Sequence, residues 1–182
     1  MPPGGFPCLE VLNLSYNGLD SDAILALADL PRLRQLDVSR NELTALPADM
    51  SGFHSLQVLN CDHNMLGTES CWYSLCLLPS LLSLSLSKNR VEYIPERAAD
   101  GFGALQSLNL THNQICREEA LLPTLRLANL RTLLLYGNPF LMHGGASSDL
   151  TEVMSQVRAG PWPFGRGESS VQHSLRARRP PD

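Results

Sequence analysis

The sequence predicts an α/β solenoid, in which a curved parallel sheet is backed by a convex side of mixed helical and extended segments. Three observations predict it. Leucine supplies 35 of the 182 residues, one pattern recurs six times, and an asparagine near the end of that pattern recurs at intervals of 23 to 25 residues. A unit repeated at such a period cannot bury its apolar side alone, so stacked neighbours must share one core.

The repeated pattern predicts six short strands. Its copies are LEVLNLSYNGL from Leu9, LRQLDVSRNEL from Leu33, LQVLNCDHNML from Leu56, LLSLSLSKNRV from Leu81, LQSLNLTHNQI from Leu105 and LRTLLLYGNPF from Leu130. Alternate leucines lie on one side of a strand and face the core.

The asparagine of each copy predicts a turn at the end of the strand. These residues are Asn17, Asn41, Asn64, Asn89, Asn113 and Asn138. An asparagine amide can bind backbone groups of the turn that no sheet partner reaches. We therefore expect a structural asparagine ladder and not a ligand site.

The six copies resemble the leucine-rich repeat family, whose signature is L-x-x-L-x-L-x-x-N-x-L, across residues 9–140. The resemblance implies a solenoid of six leucine-rich repeats with its strands on the concave face. It also implies a protein that binds a partner through that face and carries no catalytic residues.

Four parts of the chain are predicted. Residues 1–8 form a short lead with no room for a cap, and residues 9–141 hold the six repeats. A helix over 142–158 closes the last repeat, because Asp149 and Glu152 resemble a capping box. Residues 159–182 are rich in Pro, Gly and Arg and are expected to be a disordered basic tail.

The two ends of a solenoid normally need polar caps. Because the first repeat has none, we expect its exposed end to pair with another chain, or the chain to be a fragment or truncated isoform of something longer.

The segments that connect the strands are predicted to alternate in kind. Those after the first, third and fifth strands are helix-like, with Asp20 or Ser21 and Thr68 as N-caps. Those after the second and fourth contain Pro47 and Pro95, which favour an extended turn with little helix.

Composition and charge exclude several classes of protein. The formal net charge of −4 argues against binding to nucleic acid by positive charge alone. No apolar run approaches the ~18 residues of a membrane-spanning helix, and no secretory signal is recognisable. The five cysteines lack a Cys-x-x-Cys spacing and indicate a reducing compartment. We expect an intracellular protein, cytoplasmic or nuclear, without a membrane partner.

Candidate binding residues follow from the strand template, because positions between the core leucines face outward. The central row is Asn13, Asp37, Asn60, Ser85, Asn109 and Leu134; the next is Ser15, Ser39, Asp62, Ser87, Thr111 and Tyr136; the last is Tyr16, Arg40, His63, Lys88, His112 and Gly137. The candidates for partner contact are Asn13, Tyr16, Arg40, Asn60, His63, Lys88, Asn109, His112 and Tyr136.

One part of this surface is distinctive. We call Tyr16, Arg40, His63, Lys88 and His112 the stripe, because they form one continuous row of aromatic and cationic or protonatable residues. Tyr and Arg are enriched at recognition surfaces. The alternative is that these positions are polar only because they face water, which we favour for the Ser and Thr row and leave open for the stripe.

Metal binding and catalysis find little support in the sequence. His63 and His112 are two repeats apart, about 10 Å, whereas zinc holds its ligand atoms at ~2.0–2.2 Å. We expect no metal, no cofactor and no small-molecule substrate.

Function is therefore predicted to be that of a non-catalytic interaction module, a scaffold or adaptor that binds a protein. The alternatives are a regulatory or inhibitory subunit of an enzyme and a truncated isoform without independent function. Nucleic-acid binding is the least favoured hypothesis, because residues 1–158 carry a net charge of −6.

Overall fold

The computed structural model of the protein describes residues 5–142. Six strands of three residues form one parallel sheet in chain order, each beside its sequence neighbours. They are β1 Val11–Asn13, β2 Gln35–Asp37, β3 Val58–Asn60, β4 Ser83–Ser85, β5 Ser107–Asn109 and β6 Thr132–Leu134. The predicted α/β solenoid is confirmed, and each repeat is called a coil below.

The strands are in register at their central leucines. Leu36 pairs with Leu12 on one side and with Leu59 on the other, and the same alignment continues to Leu133. These side chains point inward and join a single hydrophobic cluster that runs through all the coils. Leu12 is only partly buried, because the first coil has a described neighbour on one side only. No coil completes its core alone.

Cys61 takes a core position that leucine or valine holds in the other coils, and it is fully buried. Burial, followed by the nearby Asp62, raises the pKa of its thiol well above the ordinary value. A thiol held in its neutral form packs as a small apolar side chain.

The convex side holds helices after the first, third and fifth strands, as predicted. They are α1 Ser21–Leu25, followed by a 3-10 helix at Ala26–Asp29; α2 Glu69–Cys76; and a 3-10 helix at Glu118–Arg126. Asp20 caps α1, with its carboxylate accepting from the Ala23 N–H at 2.8 Å. Thr68 occupies the N-cap of α2 but makes no capping bond there. Pro123 lacks an N–H, which disfavours an α-helix in the last of these segments.

The prediction for the fourth connecting segment is wrong. After β2 the chain forms no helix, but after β4 it forms α3 Glu96–Gly101. Pro95 occupies the N-cap, where its missing N–H removes no helical hydrogen bond. Glu96 lies in the first turn, where a negative charge is favourable, and Ala99 is buried against the core. The proline therefore starts this helix.

The helices pack against one another behind the sheet. The rings of Trp72 and Phe102 meet edge to face, with centroids 6.2 Å apart, and so join α2 to the residue that ends α3. A 3-10 helix at Pro139–Met142 ends the described part of the chain. The predicted capping helix beyond residue 142, the tail over 159–182 and residues 1–4 of the lead lie outside the described residues.

Candidate functional site

The asparagine ladder fixes the turns that follow the strands. The Nδ2 group of Asn64 donates to the carbonyls of Cys61 in its own coil and Val38 in the preceding coil, at 2.9 and 3.1 Å. Its Oδ1 atom accepts from the N–H groups of Asn41 and Leu43, both at 3.0 Å. The ladder asparagines of the second to sixth coils each accept from and donate to the backbone of the preceding coil.

The central row of the sheet face is mostly used by the turn itself. Asn60 accepts from the N–H of Asp62 at 3.0 Å, and Asn109 accepts from the N–H of Thr111 at 3.0 Å. Both asparagines are only 8% exposed, whereas Asn13 in the outermost coil is exposed. The structure thus places two of the candidate contact residues below the surface, where they hold the backbone.

Asp62 is partly buried beside the stripe, and its carboxylate forms hydrogen bonds but no ion pair. Its Oδ1 atom accepts from the hydroxyl of Ser85 and, at 2.7 Å, from the N–H of Ser87. Burial raises the pKa of the Asp62 carboxyl, against the lowering effect of these two hydrogen bonds. The carboxylate therefore links the third and fourth coils.

All five residues of the stripe have left-handed backbone conformations. Their φ angles lie between 54° and 62°, and Gly137 takes φ 78° at the same position of the sixth coil. An L-residue at positive φ costs about 1–2 kcal/mol relative to the right-handed region, and glycine or asparagine is the usual choice. The turn therefore presents five long side chains from positions that favour short ones.

The amino-terminal half of the stripe is a chain of contacts between neighbouring coils. The guanidinium carbon of Arg40 lies 4.8 Å from the ring centroid of Tyr16. On its other side, Nη2 of Arg40 lies 3.5 Å from Nε2 of His63, a weak contact. Burial lowers the pKa of His63 below its ordinary value, and the charges of Arg40 and Lys88 lower it further. The lowered pKa favours the neutral form of His63, in which a ring nitrogen can accept from Arg40.

The carboxy-terminal half of the stripe ends against an aromatic residue. The rings of His112 and Tyr136 meet edge to face with centroids 5.1 Å apart. Tyr136 thereby joins the stripe from the adjacent row. Between the two halves stands Lys88, an exposed cation.

The two fixed cations of the stripe lack carboxylate partners within the described residues. The ion pairs there are Arg34 with Glu10 at 3.8 Å and Arg126 with Asp100 at 2.6 Å, both away from the stripe. In the same part of the chain, no three His, Cys, Asp or Glu side chains are placed to hold a metal ion. No described helix is long and apolar enough to cross a membrane.

Two features of the site escaped the sequence analysis. The left-handed turns had a signal in Gly137, a glycine aligned with the stripe. The hydrogen bonds of Asp62 had none, because they depend on how closely the fourth coil stacks on the third.

The repeats are matched by a known family. The profile described as "Leucine rich repeat" matches residues 7–66 and 76–115, more than half of the chain.

Three curated relatives indicate how the chain compares with longer proteins. "X-ray radiation resistance-associated protein 1" of Mus musculus is 37% identical over 110 residues, which is 50% of this chain and 14% of that protein. "Podocan-like protein 1" of Homo sapiens is 35% identical over 143 residues, which is 76% of this chain and 27% of that protein. "Tsukushi" of Mus musculus is 36% identical and covers 74% of this chain, with 38% of its own length. The chain thus spans well under half of these relatives.

The first of these similarities is visible in the sequence. LNLSYNGL, LALADLPRLRQL and LTALP follow one another here in an order that resembles the X-ray radiation resistance-associated protein.

A solved structure shares the fold. A crystal structure of a TLR13–ssRNA13 complex aligns with a TM-score of 0.60 and 30% identity, over 72% of this chain and 18% of that one. Six parallel strands in one open sheet, the asparagine ladder and the family match agree, and the chain belongs to the leucine-rich repeat family.

Proposed function

We propose that the protein is a non-catalytic interaction module, an intracellular scaffold or adaptor, whose protein partner contacts the sheet face along the stripe and Tyr136. Kinship with leucine-rich repeat proteins supports a module of this kind. The five cysteines are all unpaired, which suits a reducing compartment.

The observation that carries the proposal is the choice of side chains at the left-handed turns. Arg40, Lys88 and their neighbours occupy backbone positions at which glycine or asparagine would be more stable. Water-facing polarity alone would be satisfied by asparagine. Long aromatic and basic side chains at these positions therefore support a role in contact with another molecule.

The test is crosslinking in cells. The full chain carries a photo-crosslinking amino acid at Ser15, beside Tyr16 in the outermost coil, and is compared with a version that also carries Arg40→Asn and Lys88→Asn. Asparagine suits the left-handed turn, so the fold should survive. We expect discrete crosslinked proteins with the first version and their loss with the second. The same crosslinks from both would refute the stripe as the contact surface.

A matched control replaces basic residues elsewhere. Arg32 precedes β2, at the other end of that strand from Arg40, and is exposed. Arg32→Asn should leave the crosslinks unchanged.

We also propose that the outer edge of β1, which has no strand beside it among the described residues, pairs with another chain. Val11 is 58% exposed and Phe6 64% exposed. Within residues 5–142 the Oδ1 atom of Asn17 has no partner, although its counterparts in later coils accept from the coil before them. A second copy is the occupant to test, by light scattering over a range of concentrations. Val11→Lys should reduce association, since an edge lysine opposes strand pairing; a concentration-independent monomer would contradict this.

A further inference from the structure

We infer that the segment of the partner that lies on the stripe is an acidic peptide, with carboxylates bound at Arg40 and Lys88 on either side of His63. The inference rests on the proposed function and names the chemistry of the partner.

The spacing of the two cations defines the site. Arg40 and Lys88 stand in the second and fourth coils, and strands lie about 4.8 Å apart, so their backbones are about 10 Å apart. Both side chains are exposed. His63 lies between them in the third coil. The site therefore offers two point charges separated by a neutral, polar ring.

Neither cation forms an ion pair with a carboxylate of the described residues, although the charge of Lys88 is one of the effects that lower the pKa of Asp62. The carboxylate beside His63 in the chain is Asp62, and it accepts from Ser85 and Ser87 instead. No described carboxylate lies within ion-pair distance of Arg40 or Lys88, since the ion pairs of the described residues lie elsewhere. An incoming carboxylate would therefore displace no internal ion pair.

Arg40 is oriented before anything binds. Its guanidinium lies over the Tyr16 ring on one side and faces His63 on the other. An arginine held in this way loses less rotational freedom when it forms paired hydrogen bonds with a carboxylate.

The charge of the whole described part favours a peptide over a nucleic acid. Residues 5–142 hold nine Lys and Arg side chains against 14 Asp and Glu, a net charge of −5. A nucleic acid carries a phosphate at every nucleotide. The phosphates that do not contact the stripe would lie against an acidic surface, which repels them. A peptide can place carboxylates only where the two cations stand.

Binding should also take up a proton at His63. Burial lowers the pKa of His63, and the charged or titratable groups that lower it further are Arg40 and Lys88 from the neighbouring coils and His112 from the fifth coil. A carboxylate docked beside the ring opposes them and raises the pKa of His63 in the complex. The complex then binds more protons than the free protein, so affinity rises as pH falls through the range below about 6.5.

The experiment measures binding of a fluorescein-labelled decamer of glutamate to the full chain by anisotropy at low ionic strength. A glutamine decamer and a decauridylate carry the same label. We expect the glutamate decamer to bind more tightly than either. Arg40→Glu or Lys88→Glu should weaken it by about tenfold or more, and Arg32→Glu, the same charge change off the stripe, by less than about twofold.

The pH dependence separates specific docking from general charge attraction. Between about pH 7.5 and about pH 5.5, where glutamate stays ionised, affinity should rise several-fold for the natural chain. It should rise less for His63→Asn, which keeps a side chain suited to the left-handed turn. His112→Asn reports the contribution of the second histidine. Thermal melts of each variant establish that the fold is retained.

Several results would overturn the inference. They are equal binding of the glutamate and glutamine decamers, stripe variants that bind as the natural chain does, and decauridylate binding that is tighter and lost in the same variants. That last result would assign the stripe to RNA. If the decamer fails while the crosslinks of the proposed function still depend on Arg40 and Lys88, the contact surface stands and the acidic partner is wrong.

Discussion

The guanidinium of Arg40 packs over the ring of Tyr16, with 4.8 Å between the guanidinium carbon and the ring centroid, and so joins the first two coils through side chains that both project from left-handed turns. Such a contact at an exposed site contributes about 0.5–1 kcal/mol. This is less than the conformational cost of placing two L-residues at positive φ, about 2–4 kcal/mol for the pair. The contact therefore orients the stripe more than it stabilises the fold.

The backbone of Lys88 yields a prediction about stability. Lys88→Asn should raise the free energy of unfolding by about 0.5–1 kcal/mol, because asparagine tolerates the left-handed region better than lysine. Chemical denaturation measures this. Arg90→Asn changes a nearby exposed basic residue that lies outside the left-handed set and should give no gain. Equal gains from both would show that charge, and not φ, is responsible.

The asparagine ladder should dominate the stability of the turns. Asn64→Ala leaves the N–H groups of Asn41 and Leu43 without their side-chain acceptor, whereas the Val38 carbonyl still accepts from the Nδ2 group of Asn41. Since an unsatisfied buried polar group costs about 1–3 kcal/mol, we expect a loss of about 2–4 kcal/mol in the free energy of unfolding.

Asn17 provides the control for this loss. It is exposed, and its described side-chain hydrogen bond is the one to the Ser15 carbonyl at 3.0 Å. Asn17→Ala should cost less than about 1 kcal/mol. Similar losses at both positions would mean that the ladder does not act through the stacked backbone.

The partly buried carboxyl of Asp62 makes stability depend on pH. Its pKa is raised in the folded state above the ordinary value of 3.8, so the stabilising effect is present at or below pH 3.8 and is lost as pH rises through the folded-state pKa. The free energy of unfolding of the natural chain relative to Asp62→Asn should therefore fall as pH rises from about 4 to about 7. Denaturation at several pH values measures the difference. A rise with pH would mean that the bonds from Ser85 and Ser87 outweigh burial.

Gly67 marks a close approach between two coils. A Cβ atom at this position would overlap the backbone carbonyl of Arg90, which cannot move without shifting the fourth coil. Gly67→Ala should lower the free energy of unfolding by about 1–3 kcal/mol. Gly103→Ala is the matched control, since open space surrounds that position and its loss should be under about 0.5 kcal/mol. If Gly67→Ala left the free energy of unfolding unchanged, the two coils would stack less tightly than this contact implies.

The repeat pattern predicts the strands because each copy determines its own strand locally, and six similar strands then stack. Alternate leucines make one side of each strand apolar, and aligning six of them produces both the register and the core. The convex side was less predictable. Pro95 is predicted to favour an extended turn with little helix and instead occupies the N-cap of α3, because a proline breaks a helix from inside but is tolerated where the helix begins.

Exposure on the sheet face was the hardest quantity to predict. Asn13 and Asn109 occupy the same row of the template, yet the first is exposed and the second is 8% exposed. Asn13 lies in the first coil, which has a described neighbour on one side only, whereas Asn109 lies between two coils and donates to the Ser85 hydroxyl at 3.0 Å. The left-handed turns at Arg40 and Lys88 escaped for a related reason, since these residue types rarely adopt that conformation.

The asparagine ladder has a direction. From Asn41 to Asn138, each amide reaches back toward the amino terminus and binds the backbone of the turn before its own. The side-chain hydrogen bonds of each turn are therefore completed only when the next coil is in place. The amino terminus leaves the ribosome first, so roughly two dozen further residues must be synthesised before each coil gains the asparagine amide that hydrogen-bonds its turn. Removal of the carboxy-terminal coil would leave the turn of the last remaining coil without its side-chain hydrogen bonds. Removal of the amino-terminal coil would instead leave an asparagine amide that water can solvate.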